Sequence, residues 1–170
     1  SRARDPGHAP PAPVIEPWHD PDRVGELVGQ VVGPGRAHVV RIGSLAWNAE
    51  LFGAVARAVD EAGGITTVHL PPSDLAAVDA VRAAELGVTM IEHHYGYAEA
   101  ALGGGALPDL PPDYNYNDEA HRFRQAGAVW AAADPGALLG DVVDRLVASG
   151  VALIPTMSTY EVNRDLNRAM

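Results

Sequence analysis

The sequence contains no cysteine, which excludes disulfides and thiolate metal sites and leaves the redox compartment open. Lysine is absent too, since all 12 basic residues are arginine. Within this segment that excludes a Schiff-base lysine and a lysine bridging two metal ions. No apolar run reaches the ~18 residues a membrane-crossing helix needs. No charged-then-apolar leader opens the chain, although a start at Ser1 allows for one already removed. Positive charge is scarce, with 22 acidic residues against 12 basic and a net charge of −10. Such a surface repels phosphate backbones, so neither nucleic acid nor membrane is an expected partner. Secreted and cytoplasmic locations are not distinguished.

What is present reads as one globular unit behind a proline-rich arm. Residues 1–21 carry Pro6, Pro10, Pro11, Pro13, Pro17 and Pro21, which remove backbone donors and fix φ. From 22 to 170 an apolar strand, a short loop, an amphipathic helix and a glycine stop recur. The strand candidates are His38–Gly43, Ile65–Leu70, Val88–Glu92 and Val151–Pro155, apolar on both faces as strands of a covered parallel sheet are. A helix predicted after Asn48 carries Leu51, Val55, Ala58, Val59 and Ala62 on one stripe and ends at Gly63-Gly64. The next is predicted to start after Ser73 and stop at Gly87. Another, opened by Asp134-Pro135, carries Leu138, Leu139, Val142, Val143, Leu146 and Val147. An insertion at about 97–135 holds a Gly- and Pro-rich loop and an extra helix from Asp118 to about Ala133. Alternating strands and helices predict right-handed crossovers and an α/β fold of parallel βα units.

Functional side chains of parallel α/β proteins stand at the C-terminal strand ends. His69 closes Ile-Thr-Thr-Val-His, and His93 follows Met-Ile-Glu. Imidazole is the commonest metal ligand, and two such residues on consecutive strands project to one rim. A single strand-end histidine is more often a hydrogen-bonded rim residue, so the pattern alone leaves ligand and structural roles both open. Tyr95, Tyr97 and Tyr114 to Tyr116 follow on the same side, suited to a small-molecule pocket or to an exposed turn. Tyr160 and Arg164 come after the last strand. Arg164 suits a substrate carboxylate or a solvated helix face. His8, His19 and His121 match no ligand spacing. Gly103-Gly104-Gly105 follows no strand directly and is not a nucleotide loop.

The words Val68-His69, Gly87-Val88-Thr89-Met90-Ile91-Glu92-His93 and Gly150-Val151-Ala152-Leu153-Ile154-Pro155-Thr156, in this order, resemble the middle of the metal-dependent amidohydrolase superfamily. Imidazolonepropionases and prolidase-type enzymes read similarly. The likeness covers about Asp22 to Arg168. It implies about half of a TIM-type (β/α)8 barrel, strands four to seven, with His69 and His93 as ligands of a divalent metal, zinc above others. It further implies hydrolysis of an amide, another C–N bond or an ester of a small-molecule substrate by metal-activated water. His94 replaces a small residue of the family and is expected, with Tyr95, Tyr97, Tyr160 and Arg164, to contact substrate. The family's His-x-His pair and its catalytic aspartate lie on strands this chain lacks. Arg41 stands where many members carry a carboxylated lysine, so a single metal is expected. The isolated segment is expected to be inactive and to associate with the rest of the barrel, from the same parent chain or a companion, or with itself. The competing readings are a non-catalytic α/β half-barrel binding a small molecule or partner protein, and, less favoured, an open doubly wound nucleotide-binding domain.

Overall fold

The structure is a computed structural model, describing residues 20–43, 48–70, 78–102, 107–115, 117–133, 136–159 and 161. Four strands, β1 (Val39–Gly43), β2 (Ile65–His69), β3 (Met90–Glu92) and β4 (Ala152–Ile154), form one sheet. All three pairings are parallel and the spatial order is the chain order. Among the described residues they are accompanied by the α-helices α1 (Val24–Val31), α2 (Ala49–Glu61), α3 (Ala80–Glu85), α4 (Tyr97–Ala100), α5 (Glu119–Ala132) and α6 (Ala137–Ser149). The fold is therefore α/β with parallel βα units.

In a parallel sheet of sequential order, right-handed crossovers place connecting helices on one side of the sheet. Burial agrees with this. Ile42, Val68 and Ile91 lie side by side in register and are almost wholly buried. They pack with Phe52, Val55 and Val59 of α2 and with Ala80, Val81 and Ala83 of α3 in one core. The other face carries Val39 and Arg41 of β1, both exposed, then Thr67, His69, Glu92 and Ile154.

Local chemistry accounts for the helix ends. The Asn48 side chain accepts from Leu51 N at 2.8 Å and starts α2, as its position predicts. Asp118 caps α5 by accepting from Ala120 N at 2.9 Å. Gly150, at φ 73°, closes α6 in the left-handed conformation. Gly96, at φ 89°, makes the turn after the site, where a Cβ would lie 2.5 Å from Leu70 Cδ1 and 2.8 Å from Ala80 N.

Several boundaries differ from the sequence-based expectation. The helix predicted after Ser73 begins only at Ala80, because Asp79 caps it by accepting from Arg82 N at 2.7 Å. Residues 71–77, the proline-rich arm of 1–19 and the Asp134-Pro135 cap lie outside the described residues. The insertion opens with a helical turn, α4, ahead of the Gly- and Pro-rich stretch. The stripe of α6 is only half covered: Val142 and Leu146 are buried, whereas Val143 and Val147 stay exposed.

Candidate metal centre

The C-terminal ends of β2 and β3 bring the site together. His69 ends β2 and lies in register with Glu92, the last residue of β3. His93 then leaves the strand at φ 64°, and its ring reaches that of His69 at 4.9 Å between centroids, edge to face. Tyr95 completes the aromatic corner, 5.6 Å from the His69 ring and 6.0 Å from that of His93. One donor atom each from His69, Glu92 and His93 lies within 4.8 Å of the other two, a spacing that can hold a metal ion.

Thr156 sets the orientation of His93. Its Oγ1 lies 2.8 Å from His93 Nδ1 and donates to the Ile154 carbonyl at 3.4 Å. If the hydroxyl gives its proton to that carbonyl it accepts from the ring, which puts the imidazole proton on Nδ1 and leaves the Nε2 lone pair for a ligand role. His93 and Thr156 are also the two non-glycine residues at positive φ among the described residues, at 64° and 52°. Each costs about 1–3 kcal/mol of backbone strain, and for β-branched Thr156 the conformation is a marked outlier. A backbone bond from His93 N to the Ile154 carbonyl, 2.8 Å, holds the two segments together.

The electrostatics favour neutral imidazoles. Burial, with the nearby His93 and Arg41 adding to it, pulls His69 down to about 4. Burial also lowers His93, against the opposing pull of Glu92. Neutral imidazole is the ligating form. Burial pushes the Glu92 carboxyl up, but hydrogen bonds from Arg41 and Thr67 outweigh it and hold the group below the usual range. Arg41 grips both Glu92 oxygens, with Nε at 2.9 Å from each and Nη2 at 2.8 Å from Oε2. Thr67 Oγ1 adds a bond of 3.0 Å.

These donors fit a borderline metal such as zinc in kind: two neutral imidazoles and an ionised carboxylate. They fit it incompletely in number. Glu92 is the counter-charge of Arg41, so a cation drawing on it competes with a guanidinium. The two histidines are the stronger donors, and further ligands have to come from outside this set.

The rings face a pocket of about 140 Å³ lined by His69, His93, Tyr95, Glu119, Arg122, Phe123, Thr156 and Thr159. The sequence offers Thr156 only as the end of a motif word, with no role at the site, and gives the α5 residues none. A signal existed, since Glu119, Arg122 and Phe123 share one helical face at i, i+3, i+4, but nothing said which way that face turned. Of the residues expected to contact substrate, Tyr95 lies in this pocket. His94 and Tyr97 instead line a separate apolar groove of about 430 Å³ with Trp130, Val143, Val147 and Leu153. His94 thus stands outside the His69–Glu92–His93 group. Tyr160 and Arg164 lie outside the described residues. His121 serves locally, its Nδ1 accepting from Asn115 N at 2.9 Å.

No helix among the described residues is long and apolar enough to cross a membrane. No family model, no curated protein and no solved structure matches this chain.

Proposed function

We propose that this chain supplies the metal-holding half of a hydrolase that cleaves amides, or related C–N or ester bonds, with His69 and His93 as ligands of a single divalent ion, zinc by preference. One observation carries this reading: donor atoms of His69, Glu92 and His93 lie within 4.8 Å of one another, with Thr156 meeting the His93 ring at 2.8 Å from a strained backbone position. Strain of this kind concentrates at functional sites, where the surroundings hold it in place. A divalent ion in this position supplies activated water near neutral pH and polarises a carbonyl.

The chain's own residues do the rest. Thr156 orients His93, Arg41 keeps Glu92 ionised beside the two imidazoles, and Tyr95 walls the histidines. Arg41 also leaves no carboxylated lysine to bridge a second ion, which favours one metal. The remaining ligands and the proton-transferring group belong to other strands of a (β/α)8 barrel. That architecture is supported by the sequential parallel order. Among the described residues the edge strands, β1 and β4, have no further strand beside them.

Cobalt substitution tests the reading. The cobalt-loaded chain should show a visible absorption band that is absent in His93→Ala and shifts when acetohydroxamate is added. A band insensitive to both changes, or no band, contradicts an open catalytic site.

The second reading, a non-catalytic half-barrel that binds a partner or small molecule, is favoured by the groove beside α6. Val143 and Val147 leave there an apolar surface that no described element covers. In that case the histidines are structural, and the cobalt band stays unchanged on adding hydroxamate.

A further inference from the structure

Glu92 stands beside both candidate ligands and is taken up elsewhere. Its Oε2 lies 3.7 Å from His93 Nε2, and it shares with His69 and His93 the spacing that can hold a metal ion. An ionised carboxylate in that place is a ready third ligand. We infer that Arg41, reaching over β2 from β1, withholds Glu92 from the metal and thereby keeps a coordination position open beside His69 and His93. Arg41 is thus a positioning residue, acting through Glu92. This rests on the proposed metal site, but the grip on Glu92 can be broken without touching either histidine.

The carboxylate has no lone pair to spare. Its two oxygens offer about four lone-pair directions. Arg41 Nε reaches both oxygens at 2.9 Å, Nη2 reaches Oε2 at 2.8 Å, and Thr67 Oγ1 donates to Oε1 at 3.0 Å. The contacts fall two on each oxygen. Oε2, which lies toward His93 Nε2, is held by both guanidinium nitrogens. Register makes the grip possible: Arg41 pairs with Thr67 and His69 with Glu92, so the four side chains meet on one face across three strands. The guanidinium fork matches a carboxylate in its plane, which an ammonium does not.

The consequence is chemical. A metal with every position filled by side chains is structural, whereas a catalytic one keeps a place for water. Two imidazoles and Glu92, joined by one ligand from outside this set, would close a tetrahedral site. With Glu92 withheld, a place stays open for water or substrate. Arg41 therefore lowers metal affinity and leaves the metal reactive.

The test reads zinc affinity of the full chain, by competition with a chromogenic chelator, and the visible spectrum of the cobalt-loaded chain. Arg41 is 57% exposed, so replacing it leaves the core untouched. Arg41→Met should bind zinc about tenfold more tightly, the range for one charge-assisted hydrogen bond, and should change the cobalt band as Glu92 joins the metal. Arg41→Lys keeps the charge but loses the fork, and should show a smaller gain. Thr67→Val removes one donor with no change in charge, and reads the same release if an Arg41 variant fails to fold. Combining each change with Glu92→Gln should abolish the gain. Unchanged or weaker zinc binding in the Arg41 and Thr67 variants overturns the inference and leaves the metal reading standing. A gain that persists in full with Glu92→Gln also overturns it, because loss of a nearby positive charge is then the whole cause. Zinc bound only after Arg41→Met, and only with Glu92 intact, supports the withholding and removes the two-histidine site. No zinc in the parent or in any variant removes both.

Discussion

The two faces of the sheet are built from the same four strands and do opposite things. On the helix-covered face, Ile42, Val68 and Ile91 are aliphatic, in register and almost wholly buried. On the other, Arg41, Thr67, Glu92 and His69 form a polar, charge-paired network around two imidazoles. Alternation along a strand separates the two sets by a single residue: Val68 faces the core and His69 faces the candidate metal centre. The first face contributes by removing apolar area from water, the second by fixing donors and protonation states. Perturbations of the two faces should therefore show in different measurements.

The largest effect on folding is expected from Ile91→Ala. It should cost about 2–5 kcal/mol in chemical denaturation, the range for emptying a buried aliphatic site, while the fraction that stays folded binds zinc as before. A zinc affinity that falls in step with stability would merge the two faces. Thr156→Val should do the reverse. Loss of the hydroxyl that orients His93 should weaken zinc about 10–100-fold, as removal of outer-shell partners does, with little change in unfolding midpoint. Zinc binding unaltered by that change would remove Thr156 from the account.

The smallest effect is a pH dependence. In the folded chain His69 titrates at about 4, below the ordinary imidazole value of 6.5. Between those values the unfolded chain takes up a proton that the folded chain refuses. Metal-free stability should therefore be fully present above pH 6.5 and decline as pH falls toward 4. His93 is lowered in the same direction and adds to the decline. Denaturation midpoints at pH 7 and pH 5 measure it, and His69→Gln should shrink the difference. An equal drop in both proteins would place the cause elsewhere.

Much of this division is legible in the sequence. The four strands are found from their apolar runs, each within about two residues of the observed ends. The Asn48 and Asp118 caps follow from residue type. His69 and His93 stand out because strand ends project to one rim, and the structure brings their rings together. Three features are hidden. Asp79 starts α3 later than the pattern suggests, since several polar residues there compete as caps. Thr156 depends on a left-handed conformation that its own identity disfavours. Glu119 and Arg122 depend on how an insertion folds back, which periodicity within one helix does not determine. Adjacent His93 and His94 diverge for a similar reason: the positive φ of His93 sends one ring to the polar pocket and the other to the apolar groove. An amidohydrolase-like barrel and its chemistry stand as the proposal made above.

The central claim is that His69 and His93 together hold one metal ion. Equilibrium dialysis against zinc, on the chain and on His69→Ala/His93→Ala, tests it most directly. The account predicts one zinc per chain, lost in the double variant while its unfolding midpoint stays close to that of the parent. Zinc bound equally by both proteins, or by neither, would contradict it.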